Sequence, residues 1–162
     1  PGKPYTYRAI GEWGEVVKDA ACCSINQLDR VVELLKKTPY TRRAQAITWI
    51  PSIDLDSEEP PCLQSCFFRV RTRSGIDQLD MHVRFRSRDA FNAAFMNMYA
   101  LTLLQKDIAD RVGVEVGHYV DFSDSFHVYG SKVQDAVGYV RTMTNRIDNY
   151  WNTEEFKRIW EQ

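Results

Sequence analysis

The sequence lacks a long apolar run: no stretch approaches the roughly 18 residues that a membrane-spanning helix needs. The N-terminal segment PGKPYTYR also lacks the apolar core of a signal peptide. Neither charge dominates, because 22 acidic and 21 basic side chains leave a net charge of −1 and no overall field to attract nucleic acid or an acidic membrane. We therefore expect a cytoplasmic protein that binds neither nucleic acid nor a membrane.

Cysteine is scarce, with four residues among 162, and glycine and proline are not enriched. In a chain without a secretion signal, such cysteines are expected to be reduced thiols rather than a disulfide framework. Cys62 and Cys66 lack a second pair of ligands at zinc spacing, so we expect no metal site. The remaining composition is that of one globular domain over residues 1–162.

Local patterns predict the elements of the first half of the chain. INQLDRVVELLKK spaces its apolar residues for a helix over about 25–37, with Ser24 as its N-cap. AQAITWIP predicts a strand that ends at Pro51, and an exposed acidic turn, IDLDSEEPP, follows it. LQSCFFRVRTR and DQLDMHVRFRS flank Ser74 and Gly75, and their composition and alternation predict a β-hairpin.

The second half begins with a long apolar segment after Asp89. AFNAAFMNMYALTLLQKDIADRV is apolar nearly all round for its first four turns, which predicts a buried central helix ended by Gly113. GHYVDFSDSFHVYG predicts another strand, VQDAVGYVRTMTNRIDNYW a helix, and TEEFKRIWEQ a short helix capped by Thr153. The expected fold class is α+β, with a mixed or antiparallel sheet packed against the long buried helix.

Several residues could carry chemistry, and each has two interpretations. Cys62, directly after two prolines, is either a buried filler or a nucleophile whose thiolate is favoured by nearby positive charge. Arg42 with Arg43 at the head of one strand, and Arg86 with Ser87 after another, either bind a phosphate or solvate the edge of the sheet. The residues themselves leave both choices open.

Three further polar side chains lie near the apolar helix or on the last strand. Asn97 is within the helix, where an unsatisfied carboxamide costs roughly 1 to 3 kcal/mol. It either joins a structural network or faces a ligand, and one amide can pair with both O4 and N3 of a uracil ring. His127 and Tyr129 share a face of their strand, where they either bind a hydroxyl group or pack as ordinary aromatics.

Taken in order, these residues resemble the folate-dependent thymidylate synthase family and its pyrimidine nucleotide hydroxymethylase relatives. The resemblance runs from about Tyr40 to Tyr129, over half the chain. It consists of the double arginine in PYTRRA, the tryptophan in TWIP, the PPC thiol, the RSRD turn, an asparagine eleven positions after its arginine, and HVY. It implies a single thymidylate synthase-like domain over residues 1–162, lacking the family's N-terminal third.

The resemblance implies roles around the thiol. In that family the cysteine after the prolines is the catalytic nucleophile, which corresponds to Cys62. The arginine of the RS turn contacts the nucleotide phosphate and supports the thiolate, so Arg86 takes that catalytic role, and Ser87 also contacts the phosphate. The double arginine reaches the phosphate held by the neighbouring subunit, which makes Arg42 and Arg43 substrate-binding residues of a homodimer.

The other matches surround the folate, the base and the ribose. Asp89 corresponds to the catalytic aspartate that contacts the folate pterin and orders the site. Asn97 corresponds to the asparagine that binds the base, where its amide would also stabilise the enolate charge at O4 during catalysis. His127 and Tyr129 correspond to the pair that holds the ribose 3′ hydroxyl.

The implied function is reductive methylation of dUMP at C5 by 5,10-methylenetetrahydrofolate, through a covalent adduct of Cys62 at C6. The implied partners are a pyrimidine nucleotide, the folate co-substrate and a second copy of the chain. A hydroxymethylase acting on dUMP, dCMP or CMP is an alternative. A third hypothesis is a catalytically incomplete nucleotide-binding homodimer, because the folate-side segment reads NAAFM, with Ala93 where the family has a glycine.

Overall fold

The computed structural model of the protein describes residues 26–151. Two long helices and a four-stranded sheet form its main body, followed by a third long helix. The elements, in chain order, are α1 (Gln27–Lys37), β1 (Gln45–Ile47), α2 (Pro51–Asp54), β2 (Leu63–Arg73), β3 (Ile76–Phe85), β4 (Arg88–Asp89), α3 (Ala94–Val112), β5 (Glu115–Ser123), β6 (Phe126–His127), a 3₁₀ turn (Gly130–Lys132) and α4 (Val133–Trp151).

The main sheet is mixed, with strand order β1-β2-β3-β5. β1 pairs with β2 and β2 with β3 in antiparallel fashion, whereas β3 and β5 are parallel and are connected through α3. α1 and α3 pack on one face of this sheet and bury the core between them and the strands, including Leu35, Phe68, Met81 and Ile108. The expected α+β class with a mixed sheet is confirmed.

The β2–β3 hairpin is also confirmed, and its turn explains the register. Ser74 and Gly75 both have positive φ, 52° and 79°. Two residues in this conformation form the tight turn whose twist matches that of the flanking strands. The register that follows places Arg73 opposite Ile76 at one end and Leu63 opposite Phe85 at the other. The start of β2 and the end of β3 therefore lie side by side.

Two expectations about local structure are wrong, one about the start of α1 and one about the segment after Pro51. The N-cap of α1 is Asn26 rather than Ser24, because the Asn26 side chain accepts hydrogen bonds from the first free backbone N–H groups of the helix. The segment after Pro51 is not simply an exposed turn. It begins with the short helix α2, in which the buried Asp54 accepts a hydrogen bond from the backbone N–H of Ile50 at 2.7 Å.

The predicted single strand GHYVDFSDSFHVYG is wrong in one respect, because it is two strands in two sheets. β5 ends at Ser123, where the backbone N–H of Asp124 bonds to the carbonyl of Phe85 at 2.9 Å. The chain then turns, and β6 pairs in parallel with β4 instead of with the main sheet. This break moves His127 away from the main sheet and beside Asp89.

α3 ends at Gly113 as predicted, where φ of 88° gives the left-handed conformation that favours glycine. Its buried residues are Ala94, Gln105, Ile108 and Ala109, whereas several apolar side chains in its first half are exposed in the described part of the chain. Burial of the helix along its whole length therefore stays a prediction. α4 confirms the helix expected after the last strand, and the terminal helix capped by Thr153 lies outside the described residues.

Within residues 26–151, no helix is both long enough and apolar enough to cross a membrane.

A close contact between β3 and β5 depends on Gly117. The parallel register shifts at Asp80, whose buried carboxylate accepts two hydrogen bonds from Arg73 and one from the backbone N–H of His118. Burial alone would raise the pKa of Asp80, but these hydrogen bonds lower it. A Cβ at Gly117 would collide with the Asp80 carboxylate and lie 2.8 Å from the carbonyl oxygen of Leu79.

Replacing Gly117 by alanine should lower the free energy of unfolding by about 1–3 kcal/mol, because neither the carboxylate held by Arg73 nor the strand carbonyl can move aside. Urea denaturation followed by circular dichroism measures the effect. Gly138→Ala in α4 is the matched control, since a Cβ there has open space and alanine favours a helix. Equal stability of Gly117→Ala and the wild type would contradict this explanation of the close contact between β3 and β5.

Candidate active site

The backbone segments that carry Cys62 and Arg86 lie side by side because the hairpin places the start of β2 beside the end of β3. Cys62 is half-buried and directly precedes β2, and Arg86 directly follows β3. The backbone N–H of Arg86 donates to the carbonyl of Cys62 at 2.9 Å. The side chain of Arg86 donates to the carbonyls of Pro61, at 3.1 Å, and Pro60, at 2.7 Å.

These contacts fix the orientation of Arg86 without using all of its donors. A guanidinium has five N–H groups, and one on Nε and one on Nη2 bind the two proline carbonyls. The remaining N–H groups can bind an anion. The double proline thus has a structural use, since its carbonyls hold a fixed positive charge beside the segment that carries the half-buried Cys62 thiol.

Asp89 follows Arg86 by three residues and organises the turn that leads into α3. Its carboxylate accepts hydrogen bonds from the backbone N–H groups of Phe91, at 2.9 Å, and Asn92, at 3.1 Å, and from the side-chain amide of Asn92 at 2.7 Å. The hydrogen bond from the Asn92 side chain is the main reason why the pKa of Asp89 lies below its ordinary value. The carboxylate is therefore ionised at neutral pH and keeps its acceptor character.

Replacing Asn92 by alanine should raise the pKa of Asp89 toward its ordinary value, because it removes the contact that lowers this pKa most. An NMR titration of the Asp89 carboxyl carbon measures the shift. The wild-type hydrogen bonds contribute stability above the unfolded-state pKa and lose it as the pH falls through the lower folded-state pKa. The stability difference between the two proteins should therefore disappear in acid, and an unchanged Asp89 pKa would contradict this assignment.

His127 and Tyr129 reach the same turn through the small β4–β6 sheet. His127 lies opposite Asp89 in the parallel register, and the backbone N–H of Ala90 donates to the His127 carbonyl at 2.7 Å. The rings of His127 and Tyr129 meet edge to face, with 5.0 Å between their centroids, and Ser125 Oγ lies 3.3 Å from His127 Nδ1. The structure thus brings His127 and Tyr129 together beside Asp89.

Asn97 lies in the first turns of α3 rather than in its middle, since the helix begins at Ala94. The side chain is half-buried, and its carboxamide makes no hydrogen bond with the residues that the structure describes. Its backbone N–H bonds to the carbonyl of Ala93 at 2.9 Å. The interpretation as part of a structural network finds no support in residues 26–151, and the amide is available for another partner.

Within one chain, Arg42 and Arg43 do not lie near Cys62 and Arg86. Both are exposed, and the neighbouring Ala44 accepts a hydrogen bond from the backbone N–H of Phe68 at 2.8 Å. Phe68 is six residues along the strand from Cys62. At the usual rise of a β-strand this is roughly 20 Å, which is farther than an arginine side chain reaches.

Cys66 lies in the core, in contrast to Cys62. It is a buried residue of β2 whose side chain is part of the core, and this burial raises the pKa of its thiol to about 12. Among the described residues, no three histidine, cysteine or acidic side chains lie close enough together to hold a metal ion.

Residues 5–155 of the chain match the sequence model of the family described as thymidylate synthase. The chain belongs to the thymidylate synthase family. The matched range includes all the candidate site residues, from Arg42 to Tyr129.

Three relatives are provisionally named thymidylate synthase. The protein of Methanothermobacter marburgensis is 38% identical over 112 residues, which are 69% of this chain and 48% of that protein. The protein of Methanosarcina acetivorans is 36% identical over 126 residues, 77% of this chain and 52% of that protein. The protein of Methanocaldococcus jannaschii is 39% identical over 110 residues, 65% of this chain and 48% of that protein. The chain spans about half the length of these curated relatives.

Beneath the turn between β3 and α3 lie three polar residues that the sequence patterns do not identify. Arg88 is buried and forms an ion pair with Asp121, which also accepts a hydrogen bond from the hydroxyl of Tyr119. Arg88 lies between Ser87 and Asp89. In the sequence, only this position within the RSRD turn indicates that Arg88 could matter to the site. Its partner lies 33 residues away, so no local pattern could reveal the pair.

Proposed function

We propose that the protein catalyses the reductive methylation of dUMP at C5, with 5,10-methylenetetrahydrofolate as co-substrate. The observation that carries the proposal is the set of hydrogen bonds from Arg86 to the Pro60–Pro61–Cys62 segment, which holds a positive charge against the chain that carries the half-buried Cys62 thiol. A thiol becomes a nucleophile when its surroundings favour the thiolate. Membership of the thymidylate synthase family supports the choice of substrate.

In the proposed mechanism the Cys62 thiolate adds to C6 of the uracil ring. A bond forms between Sγ and C6, the C5–C6 double bond opens, and the electron pair moves through C5 to O4 as an enolate. C5, a poor nucleophile in the free base, then becomes able to attack a one-carbon unit. The carboxamide of Asn97, which is free of partners among the described residues, donates to O4 and stabilises the developing charge.

The phosphate is held by the N–H groups of Arg86 that its proline contacts leave available, together with the hydroxyl of Ser87. Arg42 and Arg43 are the proposed second source of positive charge. Because they lie roughly 20 Å from Cys62 along the strands of their own chain, they can serve the site only from a second copy. The proposal is therefore a homodimer in which each chain lends these two arginines to its neighbour's site.

His127 and Tyr129 hold the ribose, with the imidazole and the phenol side by side to bind the 3′ hydroxyl. Asp89 is the proposed contact to the folate. Its carboxylate offers about four acceptor positions, of which three are used by Phe91 and Asn92. One ionised acceptor position thus remains for an N–H group of a pterin. Methylenetetrahydrofolate supplies the one-carbon unit when it is bound.

We also propose that α3 is buried along its whole length in the working enzyme. Phe95, Met96 and Tyr99 are 71%, 60% and 56% exposed in the described part of the chain. Apolar side chains that cluster on one surface are normally covered in a stable protein.

The proposal is tested by incubating the protein with dUMP and methylenetetrahydrofolate and identifying the nucleotide product by mass spectrometry. The expected products are dTMP and dihydrofolate in equal amounts, since the folate returns the hydride that completes the methyl group. Formation of 5-hydroxymethyl-dUMP would replace the proposal by the hydroxymethylase alternative. Binding of dUMP with no product at all would favour the catalytically incomplete homodimer.

A further inference from the structure

Arg88 has an unusual environment for an arginine in a surface turn. It is 3% exposed, between Arg86 and Asp89. Its Nη2 donates to both carboxylate oxygens of Asp121, at 2.6 and 2.5 Å, and its guanidinium carbon lies 3.8 Å from the centre of the Phe85 ring. The side chain thus points into the protein from the turn whose neighbouring residues are proposed to bind substrate.

The partner of Arg88 is itself held in place. Asp121 also accepts a hydrogen bond from the hydroxyl of Tyr119 at 2.7 Å, on the same face of β5. Burial, together with this hydrogen bond, raises the pKa of Tyr119 and keeps its hydroxyl protonated as a donor. Nε of Arg88 has no hydrogen-bond partner among the described residues, and Nη2 donates to both oxygens of Asp121.

The backbone around Arg88 connects the two halves of the proposed site. Its N–H donates to the carbonyl of Ser125 at 2.8 Å, and the N–H of Ala90 donates to the carbonyl of His127 at 2.7 Å. These bonds join strands of only two residues each, a length that is marginal on its own. The ion pair with Asp121 adds a connection from the same turn to β5.

A buried ion pair of this kind is seldom needed for stability, because the cost of removing both charges from water offsets most of their attraction. Its best-attested use is to select one arrangement of the surrounding chain. Arg88 lies where such selection would matter, since the adjacent backbone carries Arg86 on one side and contacts the His127 strand on the other.

We propose that Arg88 is a positioning residue whose ion pair with Asp121 holds the Arg86–Ser87 turn in the orientation that binds the nucleotide phosphate. This inference rests on the proposed nucleotide function of the turn. Loss of the pair lets the turn move relative to Cys62 and His127 while the main sheet stays folded. Binding of a nucleotide then weakens, whereas binding of the nucleoside, which has no phosphate, changes little.

The test compares Arg88→Met, Arg88→Lys and the double variant Arg88→Met/Asp121→Asn. The double variant removes both charges, so it avoids the unpaired buried carboxylate that could unfold Arg88→Met. The Lys variant can place one ammonium near Asp121, as Nη2 does, and should rescue part of the function. Arg84→Met is the matched control, because it removes an exposed arginine that pairs with Asp124 next to the same turn.

Two quantities are measured on each variant. Calorimetry gives the affinities for dUMP and deoxyuridine, and hydrogen exchange gives the protection of the Arg86 and Ala90 amides relative to the Gly113 amide in α3. The double variant should lose roughly tenfold to a hundredfold in dUMP affinity, with faster exchange only at Arg86 and Ala90. Arg88→Lys should lie between it and the wild type.

The inference is overturned if the folded double variant keeps wild-type dUMP affinity and wild-type exchange at Arg86. It is also overturned if the affinities for dUMP and deoxyuridine fall by the same factor with uniformly faster exchange, which would be a purely structural effect. Failure of the wild type to bind dUMP would count against the proposed function instead, and the exchange data would then decide the positioning role alone.

Discussion

Replacing Cys62 by alanine should abolish covalent capture of 5-fluoro-dUMP while leaving reversible binding of dUMP intact. After the thiolate adds at C6 and the carbon unit joins C5, the fluorine cannot leave as a proton would, so the adduct persists in the wild type. Without the sulfur no adduct can form, and the expected loss of capture is about a thousandfold or more. Intact-protein mass spectrometry with methylenetetrahydrofolate present measures capture, and equilibrium dialysis measures binding.

Cys66→Ala is the matched control, because it removes the other described thiol, which is buried in the core. This variant should lose some stability through the small cavity it creates but keep covalent capture. Capture that survives in Cys62→Ala and disappears in Cys66→Ala would mean that the nucleophile has been assigned to the wrong cysteine.

At a 5-fluoro-dUMP concentration well below the dissociation constant of the arginine variant, mixing two impaired variants should restore part of the capture, if each chain lends its double arginine to the neighbouring site. Arg42→Glu/Arg43→Glu should bind dUMP roughly tenfold or more weakly, because charge-assisted contacts to the phosphate are replaced by repulsion. Cys62→Ala supplies intact arginines but no thiol. In a randomly reassorted mixture half of the dimers are mixed and each has one complete site, so about a quarter of the wild-type sites should return.

The control for charge is Lys36→Glu/Lys37→Glu, which reverses two exposed lysines at the end of α1 and should keep full capture by itself. Mixing is performed in mild denaturant that is then removed, so that chains can exchange. No increase in capture above the two separate samples, despite proven exchange of chains, would contradict the role of Arg42 and Arg43 across the interface.

Much of the fold could be predicted because its signals are local. Ser74 and Gly75 indicate a two-residue hairpin turn. Gly113 ends a helix in the left-handed conformation that glycine adopts most easily. The break between β5 and β6 could not be predicted, because the whole segment is rich in strand-forming residues. The strand β5 ends where its neighbour β3 ends, at the pair Phe85–Ser123, and the chain that follows pairs with β4 instead. Both partners are far away in the sequence.

The candidate site could also be predicted only in part. Residue type and spacing identify Cys62, Arg86 and His127 as candidates, and the resemblance to the family adds Asp89. The hairpin register and the β4–β6 pair explain how these residues are brought near one another. The reason for the two prolines before the thiol could not be predicted, because it depends on the direction of the Arg86 side chain. Arg88 was missed for a related reason: an exposed and a buried arginine look alike in a sequence.

Dehalogenation of 5-bromo-dUMP without folate shows whether Cys62 adds to the pyrimidine ring. Addition of the Cys62 thiolate at C6 makes C5 accept a proton, and dithiothreitol then removes the bromine as the two-electron donor, which leaves dUMP, bromide and oxidised dithiothreitol. The wild type should release bromide, and Cys62→Ala should release none. Tight binding of 5-bromo-dUMP by the wild type with no bromide released would contradict this role of Cys62.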